Sequence, residues 1–315
     1  MSGWLEMLQL SLVPLVQARA DLRDWCFELG FQTRWRLIHY LTDLKTWILC
    51  LLPVLLLQRL APARPPAKGN WASFAHDWSY PLMTIGIASH LITPVVQMIH
   101  DAGVSLWPEG PGQWVKTWST PLQFMLAFVI QDFLRYTSHF LRHKISWLWH
   151  FHAVHHSQEH LNPGTTHRAH PFEALVGAAL MTLPIGLIGI DPVPWIYAGV
   201  TSVFWDLFIH SNTRTNLGWA GKFIVSPQNH LIHHSALEHH FDCNYGERLV
   251  LWDWLFRTLH RDRISYPPTG CRESALLMER VDGVLWIPRS WGRQTVHPFK
   301  QIAADWRSRS VGSAI

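Results

Sequence analysis

Long apolar stretches punctuate the first two thirds of the chain, and their lengths are those of membrane-crossing helices. A crossing helix needs roughly 20 apolar residues. Residues 46–60 (TWILCLLPVLLLQRL) are apolar but short and contain Pro53, which predicts a tilted span or a re-entrant segment. Residues 80–100 are long enough to cross. Residues 119–143 begin apolar (PLQFMLAFVI) and turn polar after Gln131, so one long helix is expected to leave the membrane at its C-terminal end. Residues 172–190 and 194–210 read as two more crossings. Only Asp191, Pro192 and Val193 separate them, which predicts a tight helical hairpin.

The rest of the chain divides around these stretches. Residues 1–45 are expected as an amphipathic, interfacial segment, 46–260 as the transmembrane domain and 261–315 as a C-terminal cytosolic extension or cap with turn signals at Tyr266–Pro267–Pro268 and Gly270. The expected fold class is all-α: an integral membrane bundle of about four transmembrane helices with a cytosolic, histidine-rich helical cap.

Composition sharpens this picture. Charged residues make up 15% of the chain, against about 25% in a soluble domain. Hydrophobic residues reach 48% and there are 19 tryptophans, a combination suited to a bilayer and its interface. The mean hydropathy of +0.04 is too low for a chain made only of spans. The formal charge is +4, with no clustered basic stripe of the kind nucleic-acid binding requires. Cys26, Cys50, Cys243 and Cys271 are widely spaced and form no Cys-x-x-Cys pair, so no zinc knuckle, iron–sulfur site or disulfide framework is expected. No basic start or small-residue cleavage site frames residues 5–16, so no signal peptide is expected.

Charge also predicts sidedness. Residues 101–118 hold one cation, Lys116, whereas 135–170 hold Arg135, Arg142, Lys144 and Arg168, and the segment after 210 is basic. By the positive-inside rule, residues 135–171 and those after 210 face the cytoplasm. The charges of residues 1–60 are mixed and assign no topology there.

Histidine is the outlier. Of 21 histidines, fifteen lie between His139 and His240, all on the predicted cytoplasmic side. His139 and His143 are four apart, one turn apart on one helical face. His152, His155 and His156 sit at i, i+3 and i+4, and His230, His233 and His234 repeat that spacing. His210 closes the second hairpin helix. Neutral imidazole binds zinc, copper, iron and nickel, and nine nitrogens suit two metals with positions left open. Asp206, Glu173 and Asp242 are available to fix ring tautomers, with Asn244 a further candidate. His170 or Asp206 is a candidate tenth ligand. His76 and His90 stand singly and read as structural. His150, His160, His167, His239 and His260 fall off the pattern.

These residues resemble the fatty acid hydroxylase / sterol desaturase superfamily of membrane di-iron enzymes over about residues 120–260. The resemblance rests on His139-x-x-x-His143, LWHFHAVHHS (148–157), RAHPFE (168–173), His210–Ser211–Asn212, NHLIHHS (229–235) and DCNYGERLVLWDWLF (242–256). It implies a four-helix transmembrane core and two iron ions that activate O2. It also implies an external electron donor, either a ferredoxin or a cytochrome with its reductase, because the chain has neither a nucleotide-binding glycine loop nor a haem motif. The implied activity is hydroxylation of an unactivated C–H bond in a lipid-like substrate. Desaturation on the same centre is the alternative. A metal-transport or binding role is disfavoured because the histidines gather at one end of the helices rather than at mid-membrane. A zinc hydrolase is disfavoured because it needs only three protein ligands. Two positions depart from the family pattern: His150 is unusual, and Arg257 replaces the usual glycine of the closing Leu-Phe-Gly-Thr motif.

Overall fold

The computed structural model describes residues 48–65, 70–87, 93–106, 112–188, 190, 192–271 and 287–312. The segment expected at 1–45, and with it Cys26, lies outside these. Among the described residues every regular element is helical, with only isolated β-bridges such as Pro62 with Thr213. A helix over residues 48–60 (α1) is followed by Asn70–Ile87 (α2) and Thr93–Leu106 (α3). A single turn at Gly112–Val115 leads to Thr120–Lys144 (α4) and Ser146–His156 (α5). Pro171–Ile188 (α6) and Pro192–Ile209 (α7) form the expected hairpin. Pro227–His233 (α8), Leu251–Leu255 (α9) and Ile287–Gly312 (α10) complete the order.

Prolines mark the starts. Pro94, Pro121, Pro171, Pro192 and Pro227 each sit in the first turn of a helix, where the missing N–H has no intrahelical partner to lose. α3 packs along α6, and α4 along α7 and α5. Ala127 on α4 meets Trp195 and Ala198 on α7 in an apolar seam. α4 is two-natured, as the sequence predicts. Leu122, Met125, Val129 and Phe133 are exposed, while Gln131, Asp132, Tyr136 and His139 are buried.

The span expectations meet the structure only in part. The stretch 80–100 falls into two helices, α2 and α3, with residues 88–92 outside the described set. Among the described residues no helix is long and apolar enough to cross a membrane. α6 and α7 have 18 residues each, about 27 Å at 1.5 Å per residue. That is just short of a hydrocarbon core of about 30 Å, and each helix carries a carboxylate, Glu173 or Asp206. The expected four crossings therefore have no direct counterpart among the described helices.

A buried polar knot replaces apolar packing where α2 meets the 3-10 turn Pro163–His167. Asp77 and Arg168 have no exposed surface. Arg168 Nε donates to Asp77 Oδ1 at 2.7 Å. Gln158, Asn162 and Thr165 all donate to Asp77 Oδ2, at 2.7, 2.8 and 3.0 Å. Four donors converge on the carboxylate, one of them charged, which makes burial of the charge tolerable. This knot fixes the chain between α5 and α6, beside the histidines.

Candidate metal centre

Local signals aim each histidine segment inward. α4 ends where Ile145 leaves helical geometry (φ −101°, ψ 112°), and α5 starts at once, so His139 and His143 face His152, His155 and His156. α8 is launched by a capping box: Ser226 Oγ accepts from Asn229 N–H, and the Asn229 side chain closes back on Ser226 N–H. That box sets the rotation of His230, His233 and His234. His210 follows the last residue of α7.

The nine histidines form two groups. His139, His143, His152, His156 and His233 have ligating nitrogens within 4.8 Å of one another, and so do His155, His210, His230 and His234. Each His-x-x-His-His triplet is split. α5 sends His152 and His156 to the first group and His155 to the second, while α8 sends His233 to the first and His230 and His234 to the second.

Tautomers make the case for metal. His155 Nδ1 donates to the Arg168 carbonyl at 3.2 Å, and His210 Nδ1 donates to the Asp206 carbonyl at 2.7 Å. A carbonyl only accepts, so in each neutral ring the proton sits on Nδ1 and Nε2 is a bare lone pair. Those two bare nitrogens face each other at 3.2 Å. His233 is held the same way by the Cys243 carbonyl (2.8 Å), with Nε2 at 3.1 Å from His156 Nε2. Protonation does not relieve the repulsion. Burial pushes His155, His156, His230 and His234 well below the ordinary imidazole range and holds His233 at about 3. A cation shared by the lone pairs does relieve it. Separations of 2.9–3.2 Å suit adjacent ligands on one ion with bonds of about 2.0–2.1 Å, the zinc–imidazole value.

The acidic and amide candidates take different places. Glu173 Oε1 accepts from His152 Nδ1 at 2.9 Å and pairs with Arg142 at 2.9 Å. Asp206 reaches His210 through its backbone carbonyl only, and its carboxylate pairs with Arg135 at 2.6 Å. The Asp242 side chain is half-exposed, pairs with Lys144 at 2.8 Å and accepts from Tyr245 Oη at 2.9 Å. Asn244 donates to the Asn229 carbonyl and accepts from His260 N–H. Neither His170 nor Asp206 joins either group of histidines. His170 is engaged by the Thr295 carbonyl at 3.1 Å and Phe172 N–H at 3.0 Å. His150 pairs with Asp305 of α10 at 2.9 Å.

Sequence reading passed over the backbone acceptors. His139 Nδ1 donates to the Tyr245 carbonyl at 2.9 Å, and the Cys243 carbonyl serves His233. Asp242 (φ 61°) and Asn244 (φ 55°) both adopt left-handed backbone and turn these carbonyls inward. Asp and Asn are the non-glycine residues that tolerate this conformation best. It also passed over Glu247, which pairs with Arg135.

Two cavities flank the histidines. One of about 260 Å³ reaches both groups through His139, His152, His155, His210 and His230, and runs along Ala174, Gly177, Ala178 and Met181 of α6. The other, about 390 Å³, meets His143, His156 and His233 from the side of Trp149, Phe241 and Cys271.

Comparison with known proteins points the same way. Residues 124–258 match the family model for fatty acid hydroxylases. The chain is 30% identical over 210 residues to the ornithine lipid hydroxylase OlsE of Rhizobium tropici, covering 66% of this chain and 63% of that one. It is 27% identical over 151 residues to the alkylglycerol monooxygenase of Caenorhabditis elegans, covering 48% of this chain and 30% of that one. It is also 27% identical over 145 residues to the human alkylglycerol monooxygenase, covering 46% of this chain and 32% of that one. The chain thus spans under two thirds of the first of these relatives and about a third of the other two. No solved structure matches it.

Proposed function

This chain belongs, through residues 124–258, to the fatty acid hydroxylase / sterol desaturase superfamily, and from that premise we propose that it is an O2-dependent, membrane-bound di-iron monooxygenase that hydroxylates an unactivated C–H bond of a lipid-like substrate. One observation carries the reading: nine imidazoles in two adjoining groups, eight of them buried and His143 half-buried, several with Nδ1 tied to a carbonyl or carboxylate so that Nε2 lone pairs converge. Five and four nitrogen donors exceed the three protein ligands of a hydrolytic zinc, and imidazole sets suit iron.

His139, His143, His152, His156 and His233 would hold one iron, and His155, His210, His230 and His234 the other. Bound there, the irons would supply O2 activation with electrons from a separate ferredoxin or cytochrome. The chain's own residues orient and enclose. The Arg168, Asp206, Cys243 and Tyr245 carbonyls set the tautomers, and Glu173 does the same for His152. A substrate carbon seated in the 260 Å³ cavity would lie against both groups.

A membrane location is supported by exposed apolar stripes on three helices. These comprise Leu49, Leu52, Leu56 and Leu60 of α1, the stripe already described on α4, and Val193, Ile196, Tyr197 and Val200 of α7. Apolar surface on this scale asks for a lipid or protein cover. The histidines lie at the other end of α4, on the side that cation placement assigns to the cytoplasm.

The test is elemental analysis with Mössbauer spectroscopy of detergent-purified protein from iron-57-grown cells, followed by turnover under 18O2 with a reconstituted donor. Two coupled irons per chain and a product heavier by one labelled oxygen are expected. A loss of two hydrogens without oxygen gain identifies a desaturase instead. One metal, or zinc alone after iron-replete growth, overturns the reading. Turnover of the purified chain with NADPH as sole addition overturns the separate-donor assignment.

A further inference from the structure

The cavity that adjoins both histidine groups is not lined by hydrocarbon alone. Apart from histidine nitrogens and the Arg135 Nε–Glu247 Oε2 ion pair, three atoms of its lining are buried without a hydrogen-bond partner: Ser138 Oγ, Arg142 Nε and Glu173 Oε2. Ser138 is 4% and Glu173 7% exposed. Both stand out against ordinary behaviour. A buried serine within a helix commonly bonds back to the carbonyl one turn earlier, and Ser138 on α4 does not. Glu173 spends one oxygen twice, on His152 Nδ1 and on Arg142, and leaves the other idle. Arg135 is committed to Asp206 and Glu247, and Arg142 pairs with Glu173 through one terminal nitrogen, which leaves Arg142 Nε as a donor able to meet the oxygen of a group that donates its hydrogen to Glu173.

An unmatched buried polar atom is destabilising, and more so when charged. The space both residues line is where a partner can enter. A carboxylate paired with arginine is ionised and accepts only, so its partner must bring a hydrogen. A serine hydroxyl lining the same cavity accepts or donates as required.

We propose that Ser138 and Glu173 form a polar subsite that grips a neutral hydrogen-bond donor, a hydroxyl or an amide N–H, on the substrate close to the carbon that reacts. The substrate is then an amphiphile whose reacting carbon lies within a few bonds of an O–H or N–H, rather than a bare hydrocarbon chain end. The cavity, about 260 Å³, is smaller than the roughly 300–1,000 Å³ that encloses a drug-sized ligand, so it admits only this segment and leaves the apolar tail outside along α6. The inference rests on the monooxygenase reading for what happens to that carbon, but the binding preference stands apart from it.

The experiment is anaerobic binding to the metal-loaded full chain in detergent, followed by tryptophan fluorescence, with two matched probe pairs. 1-O-hexadecylglycerol is compared with its 2,3-di-O-methyl ether, and N-hexadecylacetamide with its N-methyl derivative. Each pair differs only in the donor hydrogens and small methyl groups. The donor-bearing member of at least one pair should bind roughly 10- to 100-fold tighter, the worth of a hydrogen bond to a charged group. Which pair shows the ratio says whether a hydroxyl or an amide is read. In Ser138→Ala the ratio should fall severalfold, and in Glu173→Gln it should approach one. If Glu173→Gln loses metal, Ser138→Ala alone decides, because Ser138 bonds to no histidine. Equal affinities within both wild-type pairs, or an unchanged ratio in Ser138→Ala, overturn the subsite. A chain with two irons but no donor preference overturns this inference only. A chain with the preference but no iron overturns the oxygenase reading only.

Discussion

Replacing Asp77 by Asn changes one oxygen to NH2 in a site with no exposed surface, and its cost can be worked from the contacts. The carboxylate accepts from Arg168 Nε on one oxygen and from Gln158, Asn162 and Thr165 on the other. An amide cannot satisfy both sides. Whichever way it turns, its NH2 opposes at least one donor, and the Arg168 charge loses the Asp77 carboxylate as its partner. Breaking a buried ion pair by removing one member costs about 3–5 kcal/mol. Unfolding entropy of about 2.1 cal/mol/K per residue makes 1 kcal/mol worth about 1.5 °C of Tm for 315 residues, so Asp77→Asn should lower the midpoint by about 5–8 °C. The assay is tryptophan fluorescence during heating of metal-loaded protein in detergent. The Arg168 carbonyl also orients His155, so metal occupancy of the four-histidine group should fall with it. Asp77→Leu combined with Arg168→Met removes both charges and should cost less than Asp77→Asn alone, since apolar replacement of a whole buried pair is often neutral. A midpoint within about 1.5 °C of wild type, worth no more than about 1 kcal/mol, refutes the reasoning, as does a double variant that costs the sum of the two singles.

His155→Ala should cost the four-histidine group its metal and His233→Ala the five-histidine group its metal, each abolishing activity; retained activity in either removes that residue from the ligand set. Stability of the metal-stripped chain should fall with acid. Histidines held below their unfolded value of about 6.5 bind fewer protons folded than unfolded, so stability is full above that pH and drops as pH falls from about 6.5 toward the value of about 3 held by His233. A thermal midpoint flat between pH 7.5 and 5 contradicts this. Arg257 sits at φ 60°, where a side chain costs about 1–2 kcal/mol, so Arg257→Gly should raise the midpoint by a few degrees, and no change would show that the arginine carries no strain. Asp242→Gly should retain metal better than Asp242→Ala, because both lose the carboxylate but only glycine keeps the φ of 61° at no steric cost; equal losses would assign the role to the carboxylate instead.

What was legible in the chain, and what was not, follows from the range over which each signal acts. Helical spacing is local, so the faces carrying His139 with His143, and each His-x-x-His-His triplet, could be read directly, and helices formed over 120–144, 171–188 and 192–209 where the apolar stretches put them, whereas the stretch 80–100 fell into two helices. The division of each triplet between two groups could not be read, because it depends on the rotation of α5 against α8. That rotation is set by the break at Ile145 and the Ser226 capping box. The knot around Asp77 was equally hidden. Asp77 and Arg168 are 91 positions apart, and neither has a neighbour that announces the other.

The acidic residues near the histidines show most clearly how a side-chain reading misleads. Proximity suggested that Asp206, Asp242 and Asn244 would meet imidazoles with their side chains. Asp206 instead offers His210 its backbone carbonyl. Asp242 and Asn244 bend the chain so that the Cys243 and Tyr245 carbonyls reach His233 and His139. A backbone carbonyl belongs to every residue, so composition cannot single it out, whereas the left-handed turn that aims it favours Asp, Asn and Gly. A carbonyl also has an advantage over a carboxylate here. It fixes the Nδ1 proton without adding charge, so the imidazole stays a neutral donor and the charge of the site is left to the metals and to the Glu173 carboxylate. Among the described residues that leaves Glu173 as the acidic side chain that hydrogen-bonds one of the nine histidines, and its second oxygen as a buried acceptor beside them that is still to be matched.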